Sequence, residues 1–483
     1  MTRRTFLGAP AALCPAASGQ SRRPPNIVYI LADDLGWGDL RCYNRESAIP
    51  TPHADRLARE GIRFTDMHSP SSVCTPTRYG ILTGRYAWRT RLERGVLWGY
   101  SPNLIEPGRL TVATLLRSQG YATAAIGKWH LGLGDQEKTD YSRPLRPGPL
   151  DHGFEYFFGI PASLDMDPYL YIENDRAVAL PTGRIEGRSQ PRGVFWRAGA
   201  IAPGFRLEEV LSKLTDRAVE WILAQSSERP FFLYFALTSP HTPWLVSPPF
   251  RGKSQAGDYG DFVAETDDAL GRILEALDRA GVAKNTLVIL TSDNGAHWTP
   301  EDQSRYAHRA NAGWRGMKAD IWEAGHRVPF LARWPARIRP ATVSHHLGCL
   351  TDLMATLAEL LQLRLPDDAG EDSFSMLDAL LGQGRSRKRP AVVLHSSEGM
   401  FAIREGPWKL IRGLGSGGFS EPRSVDPTPG EPAGQLYHLE RDPQETVNLY
   451  GKHPEIVARL EAQLEQVRRS GRSRPVARRA GRV

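Results

Sequence analysis

Cysteine is nearly absent from this chain: four among 483 residues, one of them, Cys14, close to the start. So few thiols cannot build the disulfide scaffold that holds small secreted domains together. Cys42 and Cys349 are free or paired, and their spacing decides neither. Long apolar runs are missing as well. None reaches the ~18 residues that a membrane-spanning helix requires, so no membrane span is expected. No stretch repeats and none is of low complexity, which excludes a solenoid or other array. Acidic residues are missing from positions 468–483, where seven arginines stand. The whole chain carries a formal charge of +7, so the rest of it sums to zero. The basicity is therefore local: a solvated, disordered tail is expected there, and no nucleic-acid partner.

What remains fits a soluble folded body. Apolar, charged and Gly/Pro contents are ordinary for a globular protein, and the length exceeds one small core, so a large domain with a smaller one is expected. Ahead of it, Arg3 and Arg4 stand before a short apolar run, 6–17, and small residues follow at 16–19. That order resembles a twin-arginine export signal and linker over 1–24, which implies an exported, periplasmic or extracellular protein.

After Pro25, residues 26–31 form a continuous apolar, β-branched run that reads as a strand buried on both faces, with Asp33 and Asp34 at its end. Three later stretches repeat one order: helix, strand, polar loop. Helical spacing over 111–119 stops at Gly120, and a strand over 122–126 runs into Lys128, Trp129 and His130. A helix over 207–223 leads to a strand over 231–237 and then to Ser239, Pro240 and His241. A helix over 262–277, closed by Gly281, leads to a strand over 286–290 and then to Ser292, Asp293, Asn294 and Gly295. This alternation predicts an α/β fold, a mostly parallel sheet between helices. Such sheets bind ligands beyond the carboxyl ends of their strands, so Asp33, Asp34, Lys128, His130, His241, Asp293 and Asn294 are expected on one rim. Past about residue 390, short alternating segments at 391–395, 401–404, 408–411 and 435–439 predict a small antiparallel sheet, and 454–467 has the spacing of a terminal helix. The expected division is a catalytic body over 25–389, a C-terminal subdomain over 390–467 and the tail.

The most informative stretch is Cys74-Thr75-Pro76-Thr77-Arg78, followed by Thr83-Gly84. Ordinary residue frequencies give those five fixed positions on the order of once in ten thousand chains of this length. Thr75-Pro76 suits the start of a helix, where free amides and the macrodipole favour an anion. Arg78, one turn on, can face the same anion bidentately. Asp33-Asp34 with Asp293-Asn294 offers an all-oxygen set of the kind a hard divalent cation takes, calcium or magnesium, and adjacent carboxylates would otherwise repel.

The stretch from Cys74 resembles the sulfatase signature, Cys-x-Pro-x-Arg before Thr-Gly. Gly127-Lys128-Trp129-His130-Leu131-Gly132 resembles the second signature of that family. The resemblance covers 25 to about 450 and is nearest the arylsulfatase A and N-acetylgalactosamine-6-sulfatase type. It implies the fold of the alkaline phosphatase superfamily, a large mixed, mostly parallel sheet with a small C-terminal antiparallel sheet. It implies that a formylglycine-generating enzyme converts Cys74 to formylglycine (3-oxoalanine), whose hydrated aldehyde is the nucleophile. It implies one calcium ion (Ca2+) per chain on Asp33, Asp34, Asp293, Asn294 and the oxidised Cys74 side chain. Arg78 and Lys128 then stabilise charge and His130 drives sulfate release. His241 and Lys318, the latter in Gly316-Met317-Lys318, bind sulfate and protonate the leaving oxygen. Ser163 lies where family members carry a sulfate-binding serine. The activity implied is hydrolysis of the sulfate monoester of a small molecule or glycan. Two other readings stay open: a phosphonate or phosphate monoester hydrolase of the same superfamily, and a non-catalytic binder of sulfated glycans in which Cys74 is unmodified. The stretch 88–98, rich in Trp and Arg, either stacks and pairs with a sulfated sugar or simply packs. The residues set no oligomeric state.

Overall fold

The apolar run after Pro25 becomes β1 (Asn26–Asp33), buried from Ile27 onward. A strand covered on both faces belongs in the middle of a parallel sheet, and β1 lies inside one of ten strands. The computed structural model describes residues 23–226, 228–383 and 389–476; Arg3, Arg4 and positions 477–483 lie outside them. Next along the chain come β2 (Ile62–Phe64), β3 (Met67–His68), β4 (Ala122–Lys128), β5 (Tyr156–Ile160), β6 (Ile172–Glu173) and β7 (Arg176–Ala177). A pair formed by β8 (Gly183–Ile185) and β9 (Gly199–Ile201) precedes β10 (Phe231–Pro240), β11 (Thr286–Ser292), β12 (Phe330–Arg333) and β13 (Thr342–Ser344). The large sheet has the order β13-β2-β12-β11-β1-β10-β4-β5-β6-β7, while β3 pairs with β14 (Gly348–Cys349) outside it. From β11 across β1, β10 and β4 to β5 every pairing is parallel, and β12 runs antiparallel to both its neighbours. The expected mixed, mostly parallel sheet is therefore present.

Helices α1 (Pro52–Glu60), α2 (Cys74–Thr83), α3 (Val112–Ser118), α4 (Val210–Leu223) and α5 (Gly257–Arg279) supply the covering layers. Thr111 caps α3 by accepting from the Thr114 amide, which satisfies a donor the first turn leaves free. Strands β1, β4, β10 and β11 all run past their apolar stretches, to Asp33, Lys128, Pro240 and Ser292. Burial continues there, so the backbone keeps its sheet partners where the side chains have already turned polar.

Past residue 390 the expected antiparallel sheet is β15 (Val392–His395), β16 (Phe401–Glu405), β17 (Trp408–Ile411) and β18 (Gln435–His438), each paired with the next. The terminal helix Pro454–Arg469 closes a second apolar core against it through Val457, Leu460 and Leu464. The tail differs from expectation as far as it is described. Ser473 donates its amide and hydroxyl to Asp372 Oδ1 at 3.0 and 2.7 Å. Arg474 donates to the Gly370 and Ala369 carbonyls at 3.1 and 2.7 Å. The loop carbonyls and the buried Asp372 carboxylate need donors, and Ser473 and Arg474 supply them, while Ser470, Gly471, Pro475 and Val476 stay exposed. Cys42 and Cys349 are both free thiols.

Candidate active site

Parallel neighbours end on one edge of a sheet, and the polar ends of β1, β4, β10 and β11 meet there. Asp33 and Asp34 leave β1, Lys128 closes β4 ahead of His130, His241 follows β10, and Asp293 and Asn294 follow β11. Cys74 is the first residue of α2, preceded by an extended Val73, so its Sγ sits where the helix presents free amides. Sγ lies 3.6 Å from Asp33 Oδ1. The thiol is buried, and burial pushes it up to about 12 despite Lys128 and Lys318.

Carboxylates and cations interleave around it. Lys128 Nζ donates to Asp33 Oδ2 at 2.6 Å and to Ser163 Oγ at 3.3 Å. Lys318 Nζ donates to Asp34 Oδ2 at 2.8 Å. Arg78 is tied into the ring of charges. Its Nε and Nη2 both donate to Asp293 Oδ2, at 3.0 and 2.7 Å, and Nη1 donates to the Lys128 carbonyl at 3.0 Å. A fully buried guanidinium requires a counter-charge, and Asp293 is the nearest. Burial works against the Asp33 charge, yet Lys128, His241 and Arg78 hold its carboxyl well below the ordinary range. Burial and the neighbouring Asp33 carboxylate push Asp293 the other way, to about 6.

The two histidines are set differently. His130 Nε2 lies 2.7 Å from the Leu97 carbonyl, which can only accept, so the proton is on Nε2. Its Nδ1 is buried with no hydrogen-bond partner among the described residues. Burial, Lys128 and Arg78 hold the ring well below its ordinary value, so His130 is neutral with a free lone pair. His241 Nδ1 is 2.6 Å from the Thr242 carbonyl and carries its proton there. Its Nε2 is 3.8 Å from Asp34 Oδ2, the carboxylate that also takes Lys318. Asp34 and His130 hold positive φ, 67° and 57°, conformations that cost non-glycine residues about 1 kcal/mol or more and persist where surroundings over-determine them.

All the residues singled out in the sequence are thus brought together, Ser163 included: its Oγ lies 3.4 Å from His241 Nδ1. Two others were missed. His297, three residues beyond Asn294, is half-buried and held at about 4 by desolvation, Arg192 and Lys318. Asp165, two beyond Ser163, is buried against Arg197. Position on the same two loops was the available signal.

The donor set suits a hard cation. Asp33, Asp34, Cys74 and His241 each offer a ligand atom within 4.8 Å of the others. Asn294 donates through Nδ2 to Asp34 Oδ1 at 2.7 Å, while its Oδ1 is buried without a partner among the described residues. That orphaned oxygen beside two carboxylates is what a bound cation would satisfy. His68, Glu323 and His326 also cluster, but Lys409 and Arg327 already neutralise Glu323 at 3.1 and 2.8 Å, leaving no demand for a metal.

The family model described as Sulfatase matches residues 25–363. An N-acetylgalactosamine-6-O-sulfatase of Bacteroides thetaiotaomicron is 35% identical over 489 residues, 93% of this chain and 94% of that protein. Arylsulfatase A of Homo sapiens is 35% identical over 460 residues, 92% of this chain and 87% of that one. A solved Bacteroides thetaiotaomicron structure, described under the metabolism of multiple glycosaminoglycans, superposes with a TM-score of 0.83 at 34% identity, covering 92% of this chain and 99% of that one.

Proposed function

The chain belongs to the sulfatase family and is a hydrolase of sulfate esters, and on that premise we propose that it desulfates a sulfated carbohydrate with a formylglycine made from Cys74 beside a calcium ion. The observation that carries this reading is the position of Cys74, at the first residue of α2, 3.6 Å from Asp33 within a ring of three carboxylates and three cations. As a thiol pushed to about 12 it is protonated and a poor nucleophile, which favours the converted side chain over a plain cysteine mechanism. Asp33, Asp34, Asp293 and Asn294 would hold the metal. When bound, the ion supplies a Lewis acid that polarises sulfate oxygens, and formylglycine supplies a hydroxyl nucleophile.

The remaining tasks fall to this chain's own groups. Lys128 and Arg78 keep positive charge where charge develops on sulfate. Lys318 and His241 share Asp34, so a proton on His241 Nε2 is held next to the leaving oxygen and can be given to it. His130, neutral with Nδ1 free, is suited to accept a proton in the later, sulfate-releasing half of the cycle. A sulfated sugar as substrate is supported by the Bacteroides relative, an N-acetylgalactosamine-6-O-sulfatase. Export is supported by Arg3 and Arg4, and among the described residues no helix is long and apolar enough to cross a membrane.

The test is to express the chain with a formylglycine-generating enzyme and measure turnover of N-acetylgalactosamine 6-sulfate, 4-nitrophenyl sulfate and 4-nitrophenyl phosphate, with the mass of the Cys74 peptide. Sulfate turnover, a converted Cys74 and a loss of two or more orders of magnitude on chelation are expected. Full activity with intact cysteine overturns the nucleophile, full activity after metal stripping overturns the ion, and preference for phosphate overturns the ester class.

A further inference from the structure

Outside the ring of charges, a second group of residues stands on or against the loops that carry Ser163 and Leu97 and has no part in the steps above. Asp165 follows Ser163 by two positions, and its side chain is 5% exposed. One carboxylate oxygen, Oδ2, accepts from Arg197 Nη1. The other, Oδ1, is buried with no hydrogen-bond partner among the described residues. Although burial works against its charge, His241, Arg197 and the Ser163 hydroxyl hold the Asp165 carboxyl below the ordinary value, so it is an anion whose Oδ1 lacks a well-aligned donor. A buried carboxylate oxygen left without a donor is unfavourable, and a ligand that brings one relieves it.

Arg197 is fixed from three sides. Besides Asp165, its guanidinium lies 4.9 Å from the ring centres of both Trp98 and Phe195. Trp98 is 52% exposed, so with one face against Arg197 the other is open. It follows Leu97, whose carbonyl takes the His130 proton. The Trp98 loop is packed against its neighbours: a Cβ at Gly99 would meet the Asp167 carbonyl oxygen at 2.1 Å, and the Trp98 amide donates to Ser101 Oγ at 2.9 Å. The two sides of this group therefore descend to catalytic neighbours, Trp98 through Leu97 to His130 and Asp165 through Ser163 to Lys128 and His241.

An aromatic face, an arginine with donors to spare and an unspent carboxylate oxygen form the chemistry that recognises a pyranose: a ring with an apolar face and hydroxyl or amide N–H donors at its edge. We propose that Trp98, Arg197 and Asp165 form the subsite that holds the sugar ring carrying the scissile sulfate, with Trp98 stacked on the ring and Asp165 Oδ1 accepting from a ring substituent. This rests on the reading of the site as a carbohydrate sulfatase and names the part that distinguishes a sugar from any other alcohol. A planar aryl sulfate can use the stacking face but offers no donor to Asp165. A missing hydrogen-bond partner discriminates far more sharply than a missing methylene.

The readout is the ratio of kcat/KM on N-acetylgalactosamine 6-sulfate to kcat/KM on 4-nitrophenyl sulfate. Asp165→Ala should lower it at least tenfold, through KM and kcat together, and Asp165→Asn, which keeps an acceptor oxygen, by less. Arg197→Ala, at a site open enough to be replaced without unfolding, should lower it severalfold, whereas Trp98→Ala, which removes a face both substrates can use, should lower kcat/KM on each. Equal losses on both substrates in the Asp165 and Arg197 variants overturn the subsite, as does a wild type that cleaves the aryl sulfate and no sugar sulfate. A wild type inert on both overturns instead the reading beneath it.

Discussion

At the scale of single residues, the two histidines are told apart by which nitrogen meets a carbonyl. His130 spends Nε2 on Leu97 and keeps Nδ1 as a lone pair, whereas His241 spends Nδ1 on Thr242 and turns Nε2 toward Asp34. In the proposed mechanism His130 accepts a proton and His241 is the donor to the leaving oxygen. His241→Ala should therefore be mildly impaired on 4-nitrophenyl sulfate, whose phenolate leaves unaided, and slowed about 100-fold or more on an alkyl or sugar sulfate. His130→Ala should release phenol in a burst near one equivalent and then almost stop. Stopped-flow absorbance distinguishes the two, and equal deficits without a burst would reverse or void the assignment. Residue types and spacing made these roles legible only through the family signature. Nothing in the sequence revealed that Arg78 spends three donors on Asp293 and Lys128, because that follows from burial depth, which residue identity does not encode.

Among elements, the sheet's parallel half was readable because each strand is a short apolar run after an amphipathic helix. Strand β12 was not: Phe330–Arg333 is four residues long, and a buried run of that length carries no direction. Nor was the glycine contact that sets the height of β4. Gly127 pairs with Ala236 of β10 and Gly159 of β5. It holds φ 121°, and a Cβ there would lie 1.8 Å from the Ala236 carbonyl oxygen. Only glycine fits such an approach, and Lys128 comes next. Gly127→Ala should cost roughly 2–4 kcal/mol in urea unfolding and lower kcat by at least tenfold, because β4 must move away from β10 and carry Lys128 from Asp33. Gly134→Ala, also at positive φ but with its nearest contact at 3.9 Å, should show only the smaller backbone penalty and little loss of rate.

For the molecule as a whole, the question is what locks the C-terminal sheet to the catalytic body, and the answer is a buried ionic network rather than apolar contact alone. Lys409 of β17 is fully buried and bonds Glu323 at 3.1 Å, Glu445 at 2.8 Å and His326 Nε2 at 3.0 Å. His326 meets His68 at 3.0 Å, and Arg404 of β16 pairs with Asp66. These ties end close to the site, since His68 precedes Cys74 on one segment and Glu323 follows Lys318 on another. Burial holds His68 at about 4, below the 6.5 of an unfolded histidine, so the folded state binds fewer protons. The stability that neutral His68 contributes is complete above pH 6.5 and is lost as pH falls toward 4. Lys409→Met keeps the stem and removes the charge, which leaves Glu323 with Arg327 but Glu445 without its cation. Breaking a buried pair on one side typically costs about 3–5 kcal/mol. Burial already raises Glu445, and without Lys409 it must rise further, so the folded variant binds a proton that its unfolded form releases above about pH 4.3. The variant's deficit against wild type should therefore be small at pH 5 and grow as pH rises to 8. Urea unfolding at both values checks the sign, and a deficit that is constant or shrinks toward pH 8 would mean that Glu445 is not left charged and buried, so that the sheet is held by its apolar core instead.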